Sequence, residues 1–250
     1  MVLKSIATQA ATDTRWMACN YHGGAPLPVL WRSLRPEERT DLNRSLQARR
    51  LRGSVFARLL LRAGMSGGLS SGAANSRIRP YSAGAVLQAA KAEVAWPVIR
   101  YRRPPADRCP LLQMHGSYDE IYASIAHDDE FCVVAWDFGR SLGCDVRPIT
   151  FPTDSTQVGF EEASARTAFR TMLTGMIEEA FFKLACRRDP RTVRELTPAG
   201  IAVELGSDPS LLQGGEYARF PCRCGPDHEP CEAGLSRHGC HLFVVLSARK

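Results

Sequence analysis

No apolar run in this sequence approaches the roughly 20 residues that a membrane-spanning helix requires. The longest, Phe131–Trp136 and Leu242–Leu246, are only a few residues each, so no transmembrane span is expected. The opening stretch, residues 1–16, has one early Lys and no continuous apolar segment. A secretory signal is therefore not expected, and the cytosol is the expected compartment, with the Ser, Thr and Ala content leaving organelle targeting open. A disulfide framework is not expected either. The nine cysteines are an odd number, five scattered at 19, 109, 132, 144 and 186 and four gathered between 222 and 240, a pattern of reduced thiols. No residue-level repeat is visible.

What is present is enough for a folded protein. With 44% hydrophobic residues in 250, the chain can bury a full core, as one large domain or as two halves of roughly 100–130 residues each. The formal charge is +6, and many arginines fall between Arg32 and Arg62. A basic face of that kind attracts phosphates, nucleic acid or an acidic protein, and charge alone does not choose among them.

Arg15–Tyr21 alternates and runs into Gly23-Gly24, which predicts a strand leaving into a turn. Ser33 is read as a helix start, with Pro36 in the first turn and Glu37 and Glu38 offsetting the helix dipole. Leu42, Leu46, Leu51, Val55, Leu59 and Leu60 continue with helical spacing, as one or two amphipathic helices. Residues 63–76 are rich in Gly and Ser and predict a flexible connector. A helix is expected over Ser82–Val94 and a strand over Trp96–Tyr101, ended by the Arg-Arg-Pro-Pro at 102–105. Three β-rich segments follow, Ile121–Ala126, Phe131–Phe138 and Leu142–Val146, the first two as a hairpin. A long helix is expected over Gly159–Arg187, and closing strands over Ile201–Leu205, Tyr217–Phe220 and His241–Leu246. The order strand, helices, strands occurs twice. It predicts an α+β fold of two pseudo-symmetric halves, 1–139 and 140–250, each a small sheet packed on helices, with a Cys/His-rich loop at 222–241 in the second.

Glu179 and Lys183 stand at i and i+4 and so share one helix face, a common arrangement for a solvated ion pair; Phe181 and Phe182 beside them imply partial burial. Asp145 ends a short apolar strand after Gly143, and a carboxylate there can meet a helix carboxylate to hold a hard metal with substrate phosphates. His127 ends a hairpin strand and can bond a phosphate; by itself each of these last two is a turn or structural residue.

Ser124-Ile-Ala-His127, Gly143-Cys-Asp-Val-Arg147 and Gly175-Met-Ile-Glu-Glu179-Ala-Phe-Phe-Lys183 follow one another in this order. Together they resemble the Ser-x-Ser-His strand end, the Gly-x-Asp-x-Glu strand end and the Trp-Ser/Thr-x-Lys-Glu-Ala/Ser-x-x-Lys helix of 4'-phosphopantetheinyl transferases of the surfactin-synthetase type. Tyr101-Arg-Arg-Pro104 is similar to that family's basic Pro turn, Arg35–Arg39 through Arg58–Arg62 to its first helical region, and Gly239–Ala248 to its closing strand. The resemblance implies transfer of the 4'-phosphopantetheine arm from coenzyme A to a serine of an acyl or peptidyl carrier protein, by a monomer that needs Mg²⁺. It implies Asp145 and Glu179 as metal ligands, Glu179 and Lys183 as the catalytic pair, and Arg52, Arg103, His127 and Lys183 as contacts to coenzyme A. Carrier proteins are acidic, which agrees with the net charge. The pattern differs at Ala126, Arg147, Gly175 and Glu178, where the family has Ser, Glu, Trp and Lys. A cation at 147 repels Mg²⁺ unless it points away.

Cys222, Cys224, His228, Cys231, His238, Cys240 and His241 are seven potential zinc ligands, of which zinc needs four in a tetrahedron. Their spacing matches no pair of Cys-x2-Cys knuckles, so a cysteine-rich loop without metal stands beside a structural zinc. Two other readings follow. One is a protein of the same fold that binds carrier or coenzyme A without catalysis, which Arg147 and Glu178 favour. The other is a basic zinc module for nucleic acid or protein, which leaves the motifs from His127 to Lys183 unexplained.

Overall fold

The computed structural model describes residues 14–42, 48–73, 78–91, 99–102, 111–114, 122–150, 160–188, 202–205 and 217–249. β1 (Arg15–Asn20) leads into a short helix α1 (Leu27–Arg32), then α2 (Pro36–Leu42) and the longer α3 (Ala48–Met65). Ser33 is not a helix start: its backbone N–H bonds back to the Leu30 carbonyl at 3.0 Å, the Leu34 N–H bonds to that of Trp31 at 3.2 Å, and together they close α1. The start lies two residues on, where the Arg35 N–H donates to Glu38 Oε2 at 2.8 Å, the reach-back half of a capping box. The Gly/Ser connector is shorter than expected. Residues 63–65 complete α3, and β2 (Gly72–Ala73) pairs with Arg15 and Trp16. β3 (Tyr81–Ser82) runs parallel to β1, and α4 (Ala83–Lys91) follows.

β4 (Ile99–Arg102) and β5 (Leu111–Met114) form a separate two-stranded ladder. β6 (Tyr122–His127) and β7 (Phe131–Asp137) make the expected hairpin, and β8 (Leu142–Pro148) follows. The long helix is α5 (Phe160–Arg188), and β9 (Val203–Leu205), β10 (Tyr217–Cys224), β11 (Glu229–His238) and β12 (His241–Ala248) complete the chain. The segment expected as a Cys/His-rich loop is strand: β10 and β11 form a hairpin in which Cys222 stands opposite Cys231. Pro230 and Gly234, both poor strand residues, mask β11 in the sequence.

The protein is thus α+β, two sheets packed against a few helices. One sheet has the order β2-β1-β7-β6 and the other β8-β12-β11-β10-β9. Within them the antiparallel triplets β1-β7-β6 and β8-β12-β11 have the same connectivity, each interrupted after its first strand by a helix, α3 or α5.

Strand alternation explains the layering. Trp16, Ala18, Val133, Ala135, Phe243 and Val245 pack between the two sheets. Their neighbours Met17, Cys19, Cys132, Val134 and Trp136 face outward onto α3, and Leu242, Val244 and Leu246 onto the side of α5. Both faces of β7 and β12 are covered, which is why Phe131–Trp136 and Leu242–Leu246 read as unbroken apolar runs. Among the described residues no helix is long and apolar enough to cross a membrane.

Candidate functional site

β8 sends Leu142, Cys144 and Val146 between the sheets. By alternation Gly143, Asp145 and Arg147 share the opposite face, under α5. Gly143 is where helix and strand meet: a Cβ there would lie 1.8 Å from the Ala180 carbonyl oxygen. This close approach brings the turns of α5 that carry Gly175, Glu179 and Lys183 onto the strand. Lys183 Nζ donates to the Cys144 carbonyl at 2.9 Å and stands 3.7 Å from Asp145 Oδ1 and 3.6 Å from Glu179 Oε1. Asp145, Glu179 and Lys183, far apart in sequence, therefore meet at one place.

Arg147 joins them. Its Nε donates to Asp145 Oδ2 at 2.9 Å and its Nη2 to the Gly175 carbonyl at 3.1 Å. A Cβ on Gly175 would sit 3.2 Å from Arg147 Nη1 and 3.9 Å from Glu178 Oε2, so these three residues border one small space. Burial raises the pKa of Asp145; the charges of Lys183 and Arg147 pull it down and Glu179 pushes it up, with a net rise. Burial thus makes charge on Asp145 costly, a common property of functional sites.

The Mg²⁺ implied by the resemblance would rest on Asp145 and Glu179. Asp145 already gives one oxygen to Arg147 and faces Lys183 with the other, and Glu179 faces the same Lys183. Mg²⁺ requires near-octahedral oxygen ligands at roughly 2.0–2.1 Å. Two carboxylates engaged by two fixed cations are not such a donor set, and the residues present do not fit a divalent ion. Among the described residues no group of three or more His, Cys, Asp or Glu side chains is arranged to hold a metal.

His127 approaches from the first half. Its Nε2 lies 3.0 Å from Ser54 Oγ on α3, and a Cβ on Gly53 would strike its ring at 2.6 Å. Burial lowers its pKa and the charge of Lys183 lowers it further, which favours the neutral imidazole. Arg52, beside Gly53, donates from Nη2 to the Gly24 carbonyl at 2.6 Å and to that of Tyr21 at 3.4 Å, tying α3 to the turn after β1. Arg103 lies outside the described residues.

Sequence reasoning did not find Ser54 or the space at Gly175. A usable signal was Gly53 inside a Leu/Arg helix, since an interior glycine costs stability and marks a close approach. The Cys/His cluster, in turn, divides. Cys222, Cys224 and Cys231 are buried under α5, while His228, His238 and Cys240 are exposed. His241 is buried, 3.3 Å from Asp128 Oδ2. A cleft of about 230 Å³, lined by Ser70, Ser71, Arg79 and Tyr81 among others, lies beside β1 and contains none of the site residues.

No protein-family model matches the chain, and no curated protein matches it.

Proposed function

We propose that this protein transfers 4'-phosphopantetheine from coenzyme A to a serine of an acyl or peptidyl carrier protein. The observation that carries the reading is the convergence of Asp145, Glu179 and Lys183 between β8 and α5, with the charge of Lys183 reaching His127 in the other half. The ordered motifs of the sequence fall on the elements that make this place.

In the transfer, a bond forms between the serine Oγ and the pantetheine-side phosphorus. The bond from that phosphorus to the bridging oxygen breaks, and its electron pair leaves with the 3',5'-bisphosphorylated adenosine. The serine proton passes to Glu179, whose side chain is 32% exposed and so open to a partner. Lys183 stabilises the charge that develops on the leaving phosphate. His127 donates a neutral hydrogen bond to a phosphate, and Arg103 is a further phosphate contact. Arg52 contributes by setting the turn after β1 as well as by its charge.

The test mixes purified protein, coenzyme A and a panel of apo carrier proteins, with Mg²⁺ in one set and a chelator in a second, and reads the phosphopantetheine adduct by mass spectrometry. An adduct on at least one carrier is expected. No adduct on any carrier, with coenzyme A binding demonstrated, overturns the catalytic reading in favour of a binding protein, which the Arg147–Asp145 pair supports.

A further inference from the structure

The site contains its own cation where a metal would otherwise be required. Arg147 is fixed at two points, by Asp145 Oδ2 at one edge and by the Gly175 carbonyl at the other. These two bonds set the plane of a group that carries five donors. Its side chain is 40% exposed, against 11% for Asp145, so it forms the solvent side of the pair. Nη1 borders the gap left by the missing side chain of Gly175. Lys183 stands on the other oxygen of the same carboxylate, 3.7 Å away. Two cations of different shape therefore flank one buried carboxylate, the planar one toward solvent. A guanidinium binds phosphate oxygens in pairs, and an ammonium binds them as a point charge. The carboxylate that orients both is the least exposed member of the group.

We infer that Arg147 takes the place of the divalent metal: its guanidinium and the Lys183 ammonium hold the pyrophosphate of coenzyme A directly, and the site works without a metal ion. This rests on the proposed transfer for the identity of the ligand. The chemistry is the displacement already described and needs no further reactant. Arg147 neutralises the pyrophosphate and Glu179 still receives the serine proton. Gly175 is the specificity element, because any side chain there enters the space beside Nη1. Asp145 is a positioning residue: it touches Arg147 and Lys183 and acts through them.

The experiment is calorimetric titration of coenzyme A, and separately of inorganic pyrophosphate, into the full chain with chelator and again with Mg²⁺. Wild-type affinity for both probes should agree within about twofold between the two conditions. Arg147→Gln should weaken both by about tenfold or more in chelator, as expected for loss of one charge-assisted contact. Circular dichroism checks the fold of each variant. Arg147→Lys keeps the charge and loses the paired geometry, so it should fall between the two and keeps the test informative if Gln perturbs the fold.

Binding or transfer that appears only on adding Mg²⁺ overturns the inference and leaves the transferase reading standing. Unchanged affinity in Arg147→Gln overturns it as well. Arg147-dependent binding in chelator with no adduct on any carrier supports the metal-free anion site and removes the transferase reading. Failure of the wild type to bind either probe under both conditions overturns both.

Discussion

Gly143→Ala tests the geometry on which the site depends. The added methyl would lie 1.8 Å from the Ala180 carbonyl oxygen, 2.7 Å from its carbonyl carbon and 3.1 Å from its Cα. Ordinary contact begins at about 3.4 Å, so strand and helix must part by roughly 1.6 Å. All three obstructing atoms are backbone, and no rotamer change relieves the clash. The helix that must move buries Leu173, Met176, Ile177, Ala180, Phe181 and Leu184. Overpacking of a core costs about 1–3 kcal/mol when side chains can adjust; here they cannot, so about 3 kcal/mol or more is expected. For a chain of this size that corresponds to a fall in Tm of roughly 6–12 °C. The same movement breaks the 2.9 Å bond from Lys183 to the Cys144 carbonyl and draws the ammonium from Asp145, so the proposed binding of coenzyme A should weaken too. Gly139→Ala is the control, because its methyl meets nothing within 4 Å. Thermal melts of the two variants decide the matter. A Gly143→Ala protein melting within about 2 °C of the control would show that α5 does not ride on β8 at this point, and the reasoning would fail.

Gly53→Ala should behave differently. The obstructing atoms are the root of the His127 ring at 2.6 Å and the Tyr21 hydroxyl at 2.8 Å, side-chain atoms that must move, while alanine adds up to about 1 kcal/mol of helix propensity that offsets part of the cost. Tm should fall by less than in Gly143→Ala while the His127 imidazole resonances in NMR move, and unmoved resonances would contradict the contact. Asp145→Asn should leave Tm equal or higher at pH 7, because the raised pKa means that burial disfavours charge at this position; a large drop would refute this. The two site groups respond to pH with opposite sign. His127 has a lowered pKa, so its contribution to stability is complete above the unfolded value of about 6.5 and is lost as pH falls below it. Asp145 has a raised pKa, so its contribution is present below the unfolded value and is lost as pH rises through the folded one. Asp128, with a lowered pKa, weakens the fold only on acidification below about pH 4. Melts at pH 7.5 and 5.5 should show a loss that His127→Gln flattens, and an unchanged slope in that variant would exclude His127 as its source.

Much of this was legible because period and burial agree. Phe160–Arg188 has helical spacing over eight turns, and the β6–β7 hairpin is bounded by polar residues at both ends. β11 was not legible, since Pro230 and Gly234 argue locally against a strand that tertiary pairing on both sides imposes. Ser33 suggests a helix start because Ser is a good N-cap, but the helix begins after Arg35, to whose N–H Glu38 reaches back. At the site, the i, i+4 relation of Glu179 and Lys183 follows from helix geometry. The direction of Arg147 does not, because it depends on which carbonyl of α5 lies within reach, and that is fixed by the contact between Gly143 and Ala180. Ser54 and His127 are 73 residues apart, joined only when α3 covers the end of β6.

The departures at 147, 175 and 178 belong together for a physical reason. They lie on β8 and on successive turns of α5, yet a single point, the missing Cβ of Gly175, is within 4 Å of both Arg147 Nη1 and Glu178 Oε2. In the pattern that the sequence resembles, 147 is acidic and 178 basic, whereas here 147 is basic and 178 acidic, so the local sum of charge is the same. A bulky residue at 175 would fill the space that the guanidinium now borders. Each change alone is unfavourable: Arg147 with a lysine at 178 places like charges together, and Glu178 with a glutamate at 147 does the same with opposite sign. The three are mutually consistent only as a set. Arg147→Glu alone therefore puts a fourth carboxylate beside Asp145, Glu178 and Glu179, whereas Arg147→Glu combined with Glu178→Lys restores the balance. The double variant should be the more stable of the two in a thermal melt. The reverse order would show that these side chains do not share a field.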